Sequence, residues 1–273
     1  AKADGGYNYA TTDLACIIDR VERLGCDDLL YVVGTPQTQH FMMVFEVAQQ
    51  AGFMDDSHNT VHVNFGSVMD SDGKILKSRE GEVIKLVDLL KEAVSRAEQA
   101  IAEKNPELHG AQRKEVANAI GIGAVKYADL STERTKDYVF DWDRMLAFEG
   151  NTSPYLQYAH ARICSIFRRS GSERSTLIGT DIILDRPEEL LLARRLVNFA
   201  AVTDDTLATY SPHRLCTYLH SVASAFASFY EVCPVLGAED EAIRGSRMAL
   251  CDLTARTIST GLGLLGIDSP EQM

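Results

Sequence analysis

The chain has 273 residues, 45% of them hydrophobic and 24% charged, with a formal net charge of −12 at pH 7. That length holds one large domain or two modest ones with a substantial core, and no apolar run approaches the roughly 20 residues that span a bilayer. The acidic balance argues against nucleic-acid binding through bulk charge and leaves that role to a local basic face.

The first 90 residues alternate helix and strand signals. Thr11 or Thr12 caps a helix carrying Leu14, Ile17, Ile18, Val21 and Leu24, and Gly25 stops it. The run LLYVV at 29–33 reads as a buried parallel strand, and a helical pattern follows from about Gln37 to Gln50. TVHVNF at 60–65 alternates like a second strand, so the rhythm is that of a doubly wound parallel sheet, here its second half only. DSDGKILKSREG at 70–81 reads as a hairpin turning at Ser71, Asp72 and Gly73. Its glycine comes too early after the first aspartate for a calcium loop.

Beyond Leu86 helices take over. Leu156, Ala159, Ile163 and Ile166 form a core stripe, and Tyr155, Tyr158, Arg162, Ser165 and Arg169 run one residue behind it. Residues 170–181 read as a surface loop. Leu215, Leu219, Val222, Phe226 and Phe229 mark another helix, and Leu250 to Leu265 a long final one. The six cysteines, Cys16, Cys26, Cys164, Cys216, Cys233 and Cys251, lie far apart without a CxxC pair. They read as reduced thiols buried as small hydrophobes, and no metal ligands are expected.

Several residues carry two readings. Tyr9 and Asp13 share one side of a first helical turn, where Asp13 also suits the helix dipole. Gln37 follows a strand where ligands collect in open sheets, and equally reads as a polar helix start. His40 is a pocket residue or a packed histidine. The tyrosine–arginine stripe can stack bases and hold phosphates, or simply flank a half-buried helix. Trp142, in FDWDRML, reads as a core anchor, and IGIGAVKYADLS at 120–131 as helix packing.

Four segments in order, DGGYNYATTDLA, VVGTPQTQHF, GKILKSREG and EGNTSPYLQYAHAR, resemble the C-terminal half of an arginyl-tRNA synthetase, a class I aminoacyl-tRNA synthetase. LGLLGIDSPEQM resembles that family's C-terminus, so the resemblance covers essentially the whole chain. It implies an α/β remnant, the second half of a class I Rossmann-type catalytic domain, followed by an all-α anticodon-binding helical bundle. The expected division is 1–90 and 91–273, with the core of the helical domain at about 150–273. The HIGH motif and an N-terminal tRNA-binding domain are expected upstream, and the chain alone is expected to be inactive.

The resemblance implies an ATP-dependent arginine–tRNA ligase of the cytoplasm, acting on arginine, ATP and the tRNA for arginine, with Mg2+ as counterion. Neither DNA nor a membrane is expected as a partner, and the full enzyme is expected to be a monomer. By that resemblance Tyr9, Asp13 and Gln37 hold the substrate guanidinium. This suits the chemistry, since a carboxylate accepts two parallel N–H bonds from that group. ILKSR becomes the KMSKS counterpart, with Ile75 and Ser78 standing where the consensus has lysines. Lys77 and Arg79 are its catalytic cations, and His40, Lys74, Lys77 and Ser78 its ATP contacts. A charged solvated hairpin is the alternative reading of that loop. Tyr155, Tyr158, Arg162, Tyr230 and Met273 match the family's anticodon-binding positions. The rival readings are a non-catalytic tRNA-binding paralogue or module, and a related class I synthetase such as the cysteinyl enzyme. The cysteinyl enzyme would use a zinc-binding cysteine cluster that this chain does not show.

Overall fold

The computed structural model describes residues 5–75, 85–238 and 240–273. It falls into two units, one of residues 5–68 with 134–138 and the other of residues 69–133 with 139–273.

In the first unit, helix α1 (Tyr9–Ile18) starts one turn earlier than the threonines suggest. Its N-cap is Asn8, whose Oδ1 accepts from the Thr11 backbone N–H and hydroxyl, each at 2.9 Å. Asn accepts a helix N–H at least as well as Thr at this position, so both threonines fall inside the first turn. After one π-helical turn (Asp19–Arg23) the chain stops at Gly25, whose φ of +64° suits a residue without Cβ.

Strands β1 (Asp28–Gly34) and β2 (Asn59–Phe65) pair in parallel from Asp28↔Asn59 to Gly34↔Phe65, joined through helix α2 (Thr38–Gln50). β1 is not buried on both faces as its unbroken apolar run implies. Leu29 and Tyr31 enter a core with Ile17, Phe41, Val44, Ala48 and Met54, whereas Leu30 is 47% and Val32 67% exposed. Period-two geometry sends adjacent residues to opposite faces, and among the described residues the core lies against one face only.

In the second unit Asp70 organises the expected hairpin. Its N–H donates to the Lys74 carbonyl at 2.7 Å, its Oδ1 accepts from the Asp72 and Lys74 amides, and Met69 bridges Ile75 antiparallel. Lys77, Ser78 and Arg79 lie outside the described residues.

The rest of this unit is helical: α3 (Leu86–Lys104), α4 (Gly110–Leu130), the short α5 (Trp142–Met145), α6 (Ser153–Ser170), α7 (Pro187–Leu196), α8 (Phe199–Thr209), α9 (Pro212–Val232) and α10 (Glu241–Leu264). At Gly121 a Cβ would come within 2.7 Å of the Ala93–Val94 backbone, so glycine is what lets α4 lie against α3. The 171–186 connection contains a 3-10 turn, Arg174–Leu177, within the expected loop. Trp142 is half-buried, edge-on to Phe140 and under the Arg96 guanidinium at 5.1 Å, so it anchors a flank instead of the core.

Two features of the core bear on the site. Cys164, Cys216, Cys233 and Cys251 are buried free thiols, and burial pushes Cys216 and Cys251 up to about 12. Cys16 is exposed and Cys26 half-buried, so only four cysteines serve as core hydrophobes. A buried ion pair, Arg247 Nε to Glu189 Oε1 at 2.7 Å, joins α10 to α7. Glu189 Oε2 accepts the Asp185 and Arg186 amides, and Arg247 Nη1 donates to the Pro234 carbonyl, so both charges are well satisfied.

Candidate functional site

Two constellations emerge, one in each unit. In the first, the opening turn of α1 meets the first turn of α2. His40 Nε2 donates to Asp13 Oδ2 at 2.7 Å, and the Tyr9 ring tilts against His40 with centroids 4.7 Å apart. His40 also packs edge-on to Phe41, which touches His62, and His62 Nε2–H donates to the Val33 carbonyl at 2.9 Å. This chain of rings fixes the carboxylate from behind.

Asp13 stays 31% exposed and Tyr9 69% exposed, so carboxylate and phenol both face solvent. A planar cation is the ligand such a pair suits: the carboxylate accepts paired N–H bonds and the ring offers a face. Gln37 is exposed at the N-cap of α2, after a 3-10 turn leading from the end of β1, and Thr35 Oγ1 ties that turn to the Phe65 carbonyl at 3.0 Å. Lys74 is exposed in the hairpin of the other unit. His40, expected among nucleotide contacts or as a packed histidine, is thus set against Asp13 and Tyr9.

The second constellation lies on α6, which Thr152 caps by accepting the Tyr155 amide. Leu156, Ala159, Ile163 and Ile166 are buried as the stripe implies. Tyr155, Tyr158, Arg162, Ser165 and Arg169 form the strip left at least partly open. Arg162 Nη2 donates to the Tyr158 hydroxyl at 2.8 Å, and its guanidinium lies 4.8 Å from the Tyr158 ring and 5.6 Å from that of Tyr230 on α9.

Tyr155 stands apart from this cluster, packed on the core and against His220 at 5.7 Å. Desolvation lowers the His220 pKa below its ordinary 6.5. Tyr158 lines a cavity of about 380 Å3 with Met273, Lys104, Asn105, Phe148 and Ile120, and Lys104 Nζ sits 4.6 Å over the Phe148 ring. A smaller cavity of about 250 Å3 joins Arg169 and Tyr230 to Pro234 and Leu236. Aromatic faces with cations beside them are what unpaired bases and their phosphates require, whatever the net charge.

Sequence reasoning missed Gln157 and His160, which are polar and buried one step from the core stripe on the same helix. Their signal was polar side chains set directly beside the apolar stripe, Gln157 after Leu156 and His160 after Ala159. The His160 pKa is lowered chiefly by burial, with the nearby Arg174 charge adding to it and the Pro270 carbonyl opposing. Arg174 Nη2 also donates to Cys164 Sγ at 3.1 Å. Among the described residues no group of three or more His, Cys, Asp or Glu is arranged to hold a metal, and no helix is long and apolar enough to cross a membrane.

Comparison with known proteins covers both constellations. Residues 1–142 match the family model for class I tRNA synthetases (R), catalytic domain, and residues 156–273 match the DALR anticodon binding domain. The arginine–tRNA ligase of Edwardsiella ictaluri is 50% identical over 272 residues, covering 100% of this chain and 47% of the relative. The Salmonella paratyphi B ligase is 47% identical with the same coverage. The chain therefore spans about half the length of the curated relatives it matches. Among solved structures, arginyl-tRNA synthetase from Thermus thermophilus superposes with a TM-score of 0.87 at 27% identity, over all of this chain and 50% of that one. The Plasmodium falciparum enzyme does so with a TM-score of 0.85 at 29% identity, over all of this chain and 46% of that one.

Proposed function

Because the chain belongs to the class I arginyl-tRNA synthetases, we propose that it works in ATP-dependent joining of arginine to its tRNA, as part of an arginine–tRNA ligase of the cytoplasm. What supports the reading is that each constellation falls in its own matched family region. The carboxylate–phenol pair lies in the catalytic match, and Tyr158, Arg162 and Tyr230 lie in the anticodon-binding match.

In this proposal Asp13 and Tyr9 grip the substrate guanidinium, with Gln37 at the same strand end. His40 holds Asp13 by donating to Oδ2, which leaves the carboxylate oriented for a cation. A site built on hydrogen bonds rejects lysine or citrulline by about 10⁴–10⁵, since either leaves polar groups unpaired. Lys74, Lys77, Ser78 and Arg79 serve the nucleotide phosphates, where positioning and charge stabilisation carry the reaction at the α-phosphate. Mg2+ would be the counterion of the triphosphate, supplying charge neutralisation at the phosphates. Tyr155, Tyr158, Arg162, Tyr230 and Met273 receive the anticodon.

The test is a chimera in which this chain replaces the matching half of a relative such as the E. ictaluri ligase. Arginine-dependent ATP–pyrophosphate exchange is measured with tRNA present. Exchange near the parent level, lost on Asp13→Asn through a raised arginine KM, supports the reading. An Asp13→Asn chimera with unchanged arginine kinetics rules out the guanidinium role.

A further inference from the structure

The segment from Gly266 to Met273 has no regular structure, yet side chains from three helices accompany it almost carbonyl by carbonyl. Lys126 of α4 donates to the Gly266 carbonyl. On α6, Gln157 Nε2 donates to the Asp268 carbonyl at 2.8 Å, His160 Nδ1–H to Pro270 at 3.1 Å, and Arg168 Nη1 to Glu271 at 3.0 Å. Asn105, the C-cap of α3, donates through Nδ2 to the Met273 carbonyl at 2.9 Å. All these bonds engage backbone, so what they fix is the path of the segment and not its sequence.

The innermost donor, Gln157, is costly to keep. Gln157 is 0% exposed, and among the described residues its Oε1 finds no hydrogen-bond partner while Nε2 spans the Ala119 and Asp268 carbonyls. An orphaned buried acceptor is destabilising, and leucine of similar volume would avoid it. Room for the amide is made at Gly123, where a Cβ would stand 3.1 Å from Gln157 Nε2. A core built for stability alone has no use for that arrangement. The segment it holds ends at Met273, which walls the same cavity as Tyr158.

We propose that Gln157 and His160 are positioning residues for RNA recognition: by gripping the backbone of 268–270 they set Met273 across the cavity from which Tyr158 receives a base. The inference rests on the anticodon reading of that cavity and adds what holds its wall. Neither side chain lines the cavity, so both act through the segment.

The experiment uses the full chain and an RNA stem-loop carrying the anticodon arm of the tRNA for arginine, together with stem-loops abasic at each loop position in turn. Wild-type chain should lose affinity when the base received at Tyr158 is removed. Gln157→Leu and His160→Ala should each weaken the intact stem-loop about tenfold, the scale of one lost base contact, and should no longer respond to that abasic site. Met273→Ala should weaken it similarly, and Gln157→Leu/Met273→Ala should be no worse than either alone, because coupled residues are non-additive. If Gln157→Leu lowers the melting temperature, His160→Gln carries the test, since it restores a donor that His160→Ala removes. Recovery of discrimination supports the proposal and its absence overturns it. If Gln157→Leu and His160→Ala keep wild-type discrimination while Tyr158→Ala loses it, the positioning role is wrong and the anticodon reading stands. If Tyr158→Ala also binds as wild type, both fall.

Discussion

The two units place their sites on very different foundations. In the α/β unit the carboxylate–histidine pair sits at helix starts, over a core that covers one face of β1 and leaves Leu30 and Val32 open. In the helical unit most of α6 is buried, and its open strip carries the tyrosine and arginine side chains of the second constellation. A binding face on a helix wrapped by its neighbours inherits their rigidity. A site at the ends of two elements depends on a few local contacts, so it is easier to disturb and easier to adapt.

The largest effect should come from deep in the helical unit. Glu189→Ala leaves the Arg247 guanidinium buried without its carboxylate, which should cost about 3–5 kcal/mol. Urea unfolding followed by Trp142 fluorescence would measure it. A loss under 1 kcal/mol would mean that this unit is not held from its core as the comparison requires.

A neighbouring pair in β1 sharpens the contrast within the α/β unit. Leu29→Ala should cost about 2–5 kcal/mol as a core truncation, whereas Leu30→Ala, one residue on, should fall within about 0.5 kcal/mol. Amide exchange of β1 and β2 reads this unit separately. Equal costs at the two positions would show the exposed face to be covered.

Acid should act on the helical unit. Burial lowers the pKa values of both His160 and His220 below 6.5. The unfolded chain, with ordinary histidines, therefore takes up those protons first. Stability is full above about pH 6.5 and falls as pH drops below it, by at most about 1.4 kcal/mol per pH unit for each histidine. Melting from pH 7.5 to 5.5 should show the decline, and His160→Gln should flatten it. A variant as acid-sensitive as wild type would remove His160 as a cause.

The smallest effect is local to the first site. Asn8→Ala removes the cap of α1 and should cost about 1 kcal/mol, since the cap is exposed. It should also weaken arginine use slightly in the chimera, because Tyr9 and Asp13 ride on that first turn. Unchanged kinetics would show the site to be held from α2 through His40 alone.

Much of this was legible beforehand. The 3.6-residue period of Leu156, Ala159, Ile163 and Ile166 named the buried face of α6, and the step behind it named the open strip, because side-chain direction in a helix follows from spacing. The parallel pair and its crossover helix followed from apolar runs of strand and helix length. The cap at Asn8 was overlooked because Asn and Thr are both good acceptors, and only the backbone shows which begins the turn.

By itself, then, the sequence determined the order of the elements, the stripe that faces the core, and the residue types that can grip a guanidinium or stack on a base. These depend on local periodicity and side-chain chemistry, which spacing carries. Tertiary structure alone decided that Glu189 meets Arg247, 58 positions away, that His40 stands on Asp13, and that Gln157 and His160 hold the backbone of 268–270. A buried polar side chain takes its meaning from the partner that satisfies it, and that partner is brought by packing across distances in the chain that no local pattern records.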